Sequence, residues 1–337
     1  MAKIAINGFG RIGRLLFRQA FGLPNMDIVA INDLGDIENL AYLLKYDTVY
    51  GRFDKKVEVA NGNLVVNGKA VKVLQIKDPA TLPWKDLGVD IAVEATGFFE
   101  SYEKAKVHLA AGAKKVIITA PAKDADTADA KTVLMGVNEE DAKVCSITSN
   151  GSCTTNATSP IIAIMSENPG IEKAILATVH GYTATQNLVD GPAKGGKDFR
   201  KGRAAAQNIS PSTTGAAISV VRAIPELGGK FDGLSYRVPT VTGSLADITF
   251  IAKRPTSVEE VNEVFKHAAL LPRWQGILKV TDEQLVSSDI IGEPYGAIVD
   301  LSFTRVIDKT LVKVLAWYDN EAGYVSTLIK HILAVSA

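Results

Sequence analysis

The chain has two cysteines, and one of them stands in SNGSCTTNATSP, a stretch of small hydroxyl and amide side chains with little apolar neighbourhood to hide a thiol. Cys145, in KVCSIT, has the neighbours of a core cysteine. Cys153 opens a predicted helix, SCTTNATSPIIAIMSE, where unpaired N–H groups and the helix dipole are expected to stabilise a thiolate and lower its pKa below the ~8.5 of a free thiol. The same N–H groups suit an oxyanion on an attacked carbonyl. A nucleophilic thiol calls for a base, and there are four histidines. His108, His267 and His331 fall inside helical patterns, where a helix-surface or internally satisfied ring is the ordinary role. His180 ends the strand-like run AILATVHGY, at the edge where strand gives way to loop. Position makes it the candidate base, with two unrelated residues as the alternative.

A second chemical signal lies at the N-terminus. NGFGRIG follows a predicted strand and opens a predicted helix. Gly8 allows the tight turn, Gly10 lets a pyrophosphate approach the backbone, Gly13 lets helix meet strand, and helix-terminal N–H groups bind the phosphates. The alternative is a glycine turn of purely structural origin. Asp33, 20 residues past Gly13 at the end of DIVAIND, stands where a dinucleotide fold needs an acid for the adenosine ribose hydroxyls. It favours NAD over NADP, because a 2′-phosphate ~4 Å from this carboxylate meets about 4 kcal/mol of repulsion at an effective dielectric near 20.

These residues need elements to hold them. The first 150 residues alternate β-branched runs (KIAING, DIVAIND, DIAVEATG, KVIITAP) with helical patterns, predicting βαβ units and a parallel sheet. VEVANGNLVVNGKAVKVLQI alternates around two Asn-Gly steps and predicts hairpins inserted in that frame. After Cys153, runs such as SLADITFIAKR, GAIVDLSFTRVI and LVKVLAWYDNE lie too close together for a crossover helix between each pair. They predict a largely antiparallel sheet with helices on one face. One such helix begins at TSVEEVNEVFKHAAL, where Ser257 and Glu260 have the spacing of a capping box.

At 337 residues the chain has room for two cores. Its 37 basic and 37 acidic residues balance, which argues against a nucleic-acid coat or a polybasic membrane tail and favours a small-molecule ligand. Two cysteines make neither a disulfide framework nor a zinc site, so no metal is expected. The first residues lack the zones of a secretory signal, and no apolar run reaches the ~18 residues of a membrane span. The expected location is the cytoplasm.

NGFGRIG, SCTTN, TVHGYTATQ, STTGAA, YRVPT and WYDNE stand in this order along essentially the whole chain, and in this the sequence resembles phosphorylating glyceraldehyde-3-phosphate dehydrogenases. The resemblance implies an α/β fold: a Rossmann NAD-binding domain over 1–152, completed by a C-terminal helix over 320–337, and an α+β catalytic domain over 153–319. It implies NAD contacts at Arg11, Ile12, Asp33, Lys77, Thr96, Gly97, Thr119 and, for the nicotinamide carboxamide, Asn320. Thr183 and Arg237 match the site for the phosphate of glyceraldehyde 3-phosphate, and Ser152, Thr154, Thr214 and Gly215 the site for inorganic phosphate. Hydroxyls, backbone N–H groups and an arginine fork are good phosphate partners on chemical grounds as well. The implied reaction is oxidation to 1,3-bisphosphoglycerate through a thioester on Cys153 with His180 as base, in a homotetramer.

The long polar stretch 188–210 is similar to the family's S-shaped loop, which lines the cofactor site and a subunit interface; which of Arg200, Lys201 and Arg203 meets phosphate stays open. The sequence departs from the family at Ala157, where a second cysteine is common, and at Lys77, where arginine is common. Erythrose-4-phosphate dehydrogenase, which favours water as acyl acceptor, is the alternative enzyme. A catalytically vestigial nucleotide- or RNA-binding protein is the alternative class, against which the retention of Cys153, His180 and Arg237 and the neutral charge both speak.

Overall fold

The structure is a computed structural model describing residues 1–193 and 198–336. The chain divides into two compact units. One is Met1–Gly151 with the chain from Leu328 onward; the other is Ser152–Thr327. The second division falls inside the last helix, Ala322–Ser336, later than the expected boundary at 320. The start of that helix is tied to the second unit by Asp319, whose Oδ1 accepts from the N–H groups of Glu321 and Ala322 at 2.8 Å each, while Oδ2 accepts from Gly292 N–H at 2.8 Å.

In the first unit the short apolar runs form one nine-stranded sheet. Seven strands are parallel, in the order Ala130–Thr132, Ile147–Ser149, Lys115–Ile118, Ile91–Glu94, Ala2–Asn7, Met26–Asn32, Lys69–Leu74. Ile91–Glu94 is buried along its whole length, as a strand covered on both faces must be. The sheet continues antiparallel through Asn63–Val66 and Val57–Ala60. Both Asn-Gly steps are the hairpin turns the pattern predicts: Asn61 and Gly62 have φ of 52° and 70°, Asn67 and Gly68 48° and 82°, the left-handed pair that matches the twist of the flanking strands. Trp84 fills one flank of the sheet, packed with Ala5, Ala92 and Val89. Ala2–Asn7 pairs with Met26–Asn32 on one side and Ile91–Glu94 on the other. Strand order therefore reverses there, and the crevice beyond the strand ends is where such sheets bind ligands.

The second unit is a seven-stranded sheet in the order Ser210–Thr213, Phe231–Val238, Ile171–Gly181, Ser244–Ala252, Leu311–Tyr318, Ala297–Ile307, Leu278–Thr281. Four of its six pairings are antiparallel; Ile171–Gly181 with Phe231–Val238, and Leu278–Thr281 with Ala297–Ile307, are parallel. The helices Cys153–Glu167, Ala216–Ala223 and Val258–Leu270 pack on this sheet. The parallel register sets His180 directly opposite Arg237.

Candidate functional site

The glycines of NGFGRIG have separate jobs. Gly8 has φ of +100°, and a Cβ on it would meet the Ala95–Thr96 backbone at 2.7 Å; a Cβ on Gly13 would lie 2.1 Å from Gly8 O. Gly10 has nothing within 4 Å of that position, leaving an open cradle at the start of the helix Arg11–Ala20, whose first turn holds no acid and whose N-cap lends no side chain. The N–H groups of a helix start suit a diphosphate. The side chain of Arg11 forms a two-pronged ion pair with Asp47 (2.6 and 3.3 Å). Asp33 accepts from Phe9 N–H at 2.7 Å and Gly35 N–H at 2.8 Å, which fixes its carboxylate beside the glycine turn. Gly8, Gly10, Asp33, Lys77, Thr96 and Phe99 line one cleft of about 280 Å³. Gly97, at φ of +75°, turns the chain away after Thr96. Thr119 closes its own strand by donating N–H and hydroxyl to Glu94 O, both at 3.0 Å.

Sequence reasoning missed Glu94. Its buried carboxylate accepts from Asn7 Nδ2 at 2.6 Å and from Thr96 N–H at 2.8 Å, takes a short hydrogen bond from the Thr96 hydroxyl, and lies 3.0 Å from His108 Nε2. Asn7 accepts in turn from Asn32 Nδ2 at 2.7 Å. This polar ladder ties the ends of three neighbouring strands under the cleft. An acid closing the apolar run DIAVE was the only signal for it.

In the second unit, Ser152 caps the helix Cys153–Glu167 through a full reciprocal box: its Oγ accepts from Thr155 N–H at 3.1 Å, and Thr155 Oγ1 accepts from Ser152 N–H at 3.0 Å. The cap fixes Cys153 at the first helical position. Its Sγ lies 3.3 Å from His180 Nε2. Arg237 Nη1 is 2.6 Å from His180 Nδ1 and 3.1 Å from Gly181 O. A guanidinium only donates, so with Arg237 there Nδ1 accepts and the ring proton sits on Nε2, facing sulfur. The same Nδ1 is 2.6 Å from Gly181 O, a contact that suits a proton on Nδ1 instead. The two arrangements exclude each other.

Burial, then the charge of Arg237, lowers His180 to about 3. Burial likewise pushes the Cys153 thiol up, against the pull of Arg237, the Thr154 hydroxyl and the helix N–H groups. The expected depression of the thiol pKa is thus reversed: the helix end pulls as anticipated, but desolvation of a sulfur packed against imidazole outweighs it.

Below it, Tyr318 OH bridges Thr154 Oγ1 at 2.9 Å and Thr178 Oγ1 at 2.7 Å, with its ring edge-on to His180. Thr183 bonds Thr185 through their hydroxyls at 3.0 Å. Thr185, Gln186, Arg200, Lys201, Ser212 and Arg237 line a small polar cleft. Arg200 is paired with Asp198 and Arg203 with Asp190, both at 2.7 Å. Thr214 caps the next helix by accepting from Ala216 N–H at 3.2 Å, with Gly215 as the N-cap. Asn320 Oδ1 accepts from Gly243 N–H at 3.2 Å and the Ser244 hydroxyl at 2.9 Å. Residues 194–197 of the basic stretch lie outside the described residues.

One unit with a dinucleotide cradle at a strand-order reversal, and one with a capped thiol against a neutral imidazole beside an arginine, define a nucleotide-dependent dehydrogenase that works through cysteine. Comparison with known proteins narrows the class. Residues 2–102 match the model of the glyceraldehyde 3-phosphate dehydrogenase NAD-binding domain, and residues 152–320 that of the C-terminal domain. The chain is 46% identical over 334 residues to a glyceraldehyde-3-phosphate dehydrogenase of Clostridium pasteurianum, covering 98% of this chain and 97% of that protein. It is 47% identical over 337 residues to glyceraldehyde-3-phosphate dehydrogenase 2 of Bacillus subtilis, at the same coverage, and 46% over 324 residues to glyceraldehyde-3-phosphate dehydrogenase B of Aspergillus oryzae, covering 96% and 95%. The chain belongs to the glyceraldehyde-3-phosphate dehydrogenase family.

Proposed function

We infer that the protein oxidises D-glyceraldehyde 3-phosphate with NAD and inorganic phosphate to 1,3-bisphosphoglycerate through a thioester on Cys153. The observation that carries the reading is the 3.3 Å contact of Cys153 Sγ with His180 Nε2, with Arg237 in register beside it. The open side of Gly10 and the fixed carboxylate of Asp33 fit a dinucleotide. When bound, NAD supplies the hydride acceptor.

Cys153 Sγ bonds to the aldehyde carbon, and its proton passes by way of His180 Nε2 to the carbonyl oxygen, leaving a hemithioacetal hydroxyl and a neutral ring. An aldehyde holds no alkoxide able to expel hydride; the adduct supplies one once His180 takes the hydroxyl proton, a contribution of roughly 10²–10⁴-fold. To accept on Nε2 the ring must carry its other proton on Nδ1, donated to Gly181 O. Arg237 blocks that tautomer while it donates to Nδ1. A substrate phosphate that draws Arg237 off, with Thr183 as a second ligand, releases Nδ1 and aligns the carbonyl, so remote binding energy is used at the reacting centre. Loss of hydride leaves a thioester. Inorganic phosphate, held by Ser152, Thr154, Thr214 and Gly215, attacks the acyl carbon and releases Cys153 sulfur. Lys201, without a carboxylate partner among the described residues while Arg200 and Arg203 have theirs, is the stretch's best phosphate ligand.

The family reading carries a cytoplasmic homotetramer acting on small molecules, without nucleic acid or membrane. Exposed Ile175 and Ile218, at 53% and 60% on the second unit, support subunit packing there. No described helix is long and apolar enough to cross a membrane. The test follows NADH formation from NAD and glyceraldehyde 3-phosphate, with and without phosphate, beside erythrose 4-phosphate. Fast, phosphate-dependent turnover of the triose, abolished in Cys153→Ser, is expected. Faster tetrose oxidation, or rates indifferent to phosphate, would assign the hydrolysing reaction, and retained function in Cys153→Ser would assign a binding protein.

A further inference from the structure

Glu94 closes the strand Ile91–Glu94 and is buried, 2% exposed. Four donors converge on its two oxygens: Thr96 N–H and the Thr96 hydroxyl on Oε1, Asn7 Nδ2 and His108 Nε2 on Oε2. The direction of these bonds is fixed further out. Ile76 N–H, 2.9 Å from Asn32 Oδ1, only donates, so Asn32 turns its Nδ2 to Ile76 O at 3.0 Å and to Asn7 Oδ1 at 2.7 Å. Asn7 is left with its Nδ2 for Glu94, at 2.6 Å. The Trp84 indole also only donates, at 3.2 Å to His108 Nδ1, which puts the ring proton on Nε2, towards Glu94. From the other side, Phe98 N–H donates at 3.1 Å to the Thr96 hydroxyl, whose own proton goes on to Glu94. Three chains of donors thus end on one carboxylate. Two of them begin in the lining of the 280 Å³ cleft, at Ile76 and at Phe98. These follow the strands Lys69–Leu74 and Ile91–Glu94, which have Ala2–Asn7 and Met26–Asn32 between them, so they line the cleft from opposite flanks.

We propose that Glu94 is a positioning residue for the nucleotide: as the common acceptor of both flanks it sets their separation, and with it the fit of the adenylate half of a dinucleotide. The proposal rests on the NAD reading and deepens it. The demand is for an acceptor at both ends of the side chain. A glutamine of the same shape carries an NH2 group that would face either Thr96 N–H, which cannot turn, or Asn7 and His108, which can turn only by giving up Asn32 and Trp84. Either way one flank loses its hold. Such a loss lowers stability whatever the role of Glu94. A role in the cleft shows separately, as a weaker nucleotide complex under conditions where the protein is fully folded.

The experiment titrates NAD and ADP-ribose by calorimetry into the wild-type protein and Glu94→Gln, each well below its melting temperature. ADP-ribose keeps every part of the dinucleotide except the pyridine ring. Glu94→Gln is expected to weaken both nucleotides in step, by about tenfold or more, because buried donors are left unmet. KM for NAD should rise by the same factor, while kcat at saturating NAD and KM for glyceraldehyde 3-phosphate stay within about twofold. If Glu94→Gln folds poorly, His108→Leu and His108→Gln decide instead. Leucine takes a donor from Oε2 without touching either flank, so the carboxylate is less firmly held and both nucleotides should weaken about threefold. Glutamine, which offers a donor again, should restore them, and two His108 variants that bind alike would overturn the proposal. A lowered melting temperature of Glu94→Gln with both affinities unchanged, or a loss confined to NAD, would overturn the role of Glu94 while leaving the cofactor reading intact. A wild-type protein that binds neither nucleotide would overturn both.

Discussion

At the residue scale, the tightest coupling is between His180 and Arg237. Burial is the larger cause of the low His180 pKa and the guanidinium the second, so removing the guanidinium should move it part of the way back. In Arg237→Leu the ring is expected to titrate above 3 yet still below the 6.5 of a free imidazole, read from its ring resonances in a pH-dependent NMR series. Under the proposed function the same variant forgoes a charged hydrogen bond from Arg237 to substrate phosphate worth about 1.5–3 kcal/mol, so KM for the triose phosphate should rise roughly 10-fold to 150-fold. An unmoved titration would mean that desolvation alone holds the ring neutral. Cys153 and His180 were legible in the sequence because each broke its local pattern, a thiol without apolar cover and an imidazole at a strand end. Tyr318 and Glu94 were not, because a polar residue closing an apolar strand reads as ordinary until its partners across the sheet are known.

At the element scale, the glycine turn offers a paired test. Gly13 is pressed so closely against the preceding loop that a methyl would lie 2.1 Å from Gly8 O, whereas Gly10 faces open space. Gly13→Ala should therefore force helix and strand apart and cost more than about 3 kcal/mol. Gly10→Ala should fold with nearly wild-type stability and lose NAD affinity, because its methyl enters the diphosphate cradle. Melting temperatures beside NAD titrations separate the two, and a Gly10→Ala protein that binds NAD normally would remove the diphosphate from that cradle. Local chemistry of this kind was easily read from sequence, as the two Asn-Gly hairpins show. Reading was less complete where a side chain had rival partners. Ser257 accepts from Glu260 N–H at 3.2 Å as the capping pattern requires, but Glu260 spends its carboxylate on Arg254 and, at 2.8 Å, on the Thr256 hydroxyl, so that box is half made. The complete box sits at Ser152 with Thr155 in place of an acid, a substitution that hides it from the motif.

At the scale of the whole molecule, the two parallel pairings in the otherwise antiparallel second sheet were out of reach of periodicity, because alternation along a strand does not record its neighbour's direction. One of them sets Arg237 opposite His180, so the site depends on long-range pairing even though its reactive residues are found locally. A second whole-molecule property follows from histidines that the fold keeps neutral. His331 is fully buried, 3.0 Å from Asn150 Oδ1 through Nδ1 and 2.8 Å from the Thr148 hydroxyl through Nε2. Its neutral ring serves one contact as donor and the other as acceptor, and burial lowers it to about 3, as burial and Arg237 lower His180. The sign is fixed by which state holds more protons. Between the unfolded value of 6.5 and about 3 the unfolded chain is protonated at these rings and the folded chain is not, so stability falls as the pH is lowered, by up to about 1.4 kcal/mol per unit for each ring. Above 6.5 neither ring contributes a slope. The urea midpoint should accordingly drop from pH 7 to pH 5, before most carboxylates titrate. His331→Gln should start from a lower midpoint at pH 7 and fall less steeply, since one of the two protons has been removed. A variant that is destabilised but keeps the full wild-type slope would show that His331 is already charged in the folded protein and that the acid sensitivity arises elsewhere.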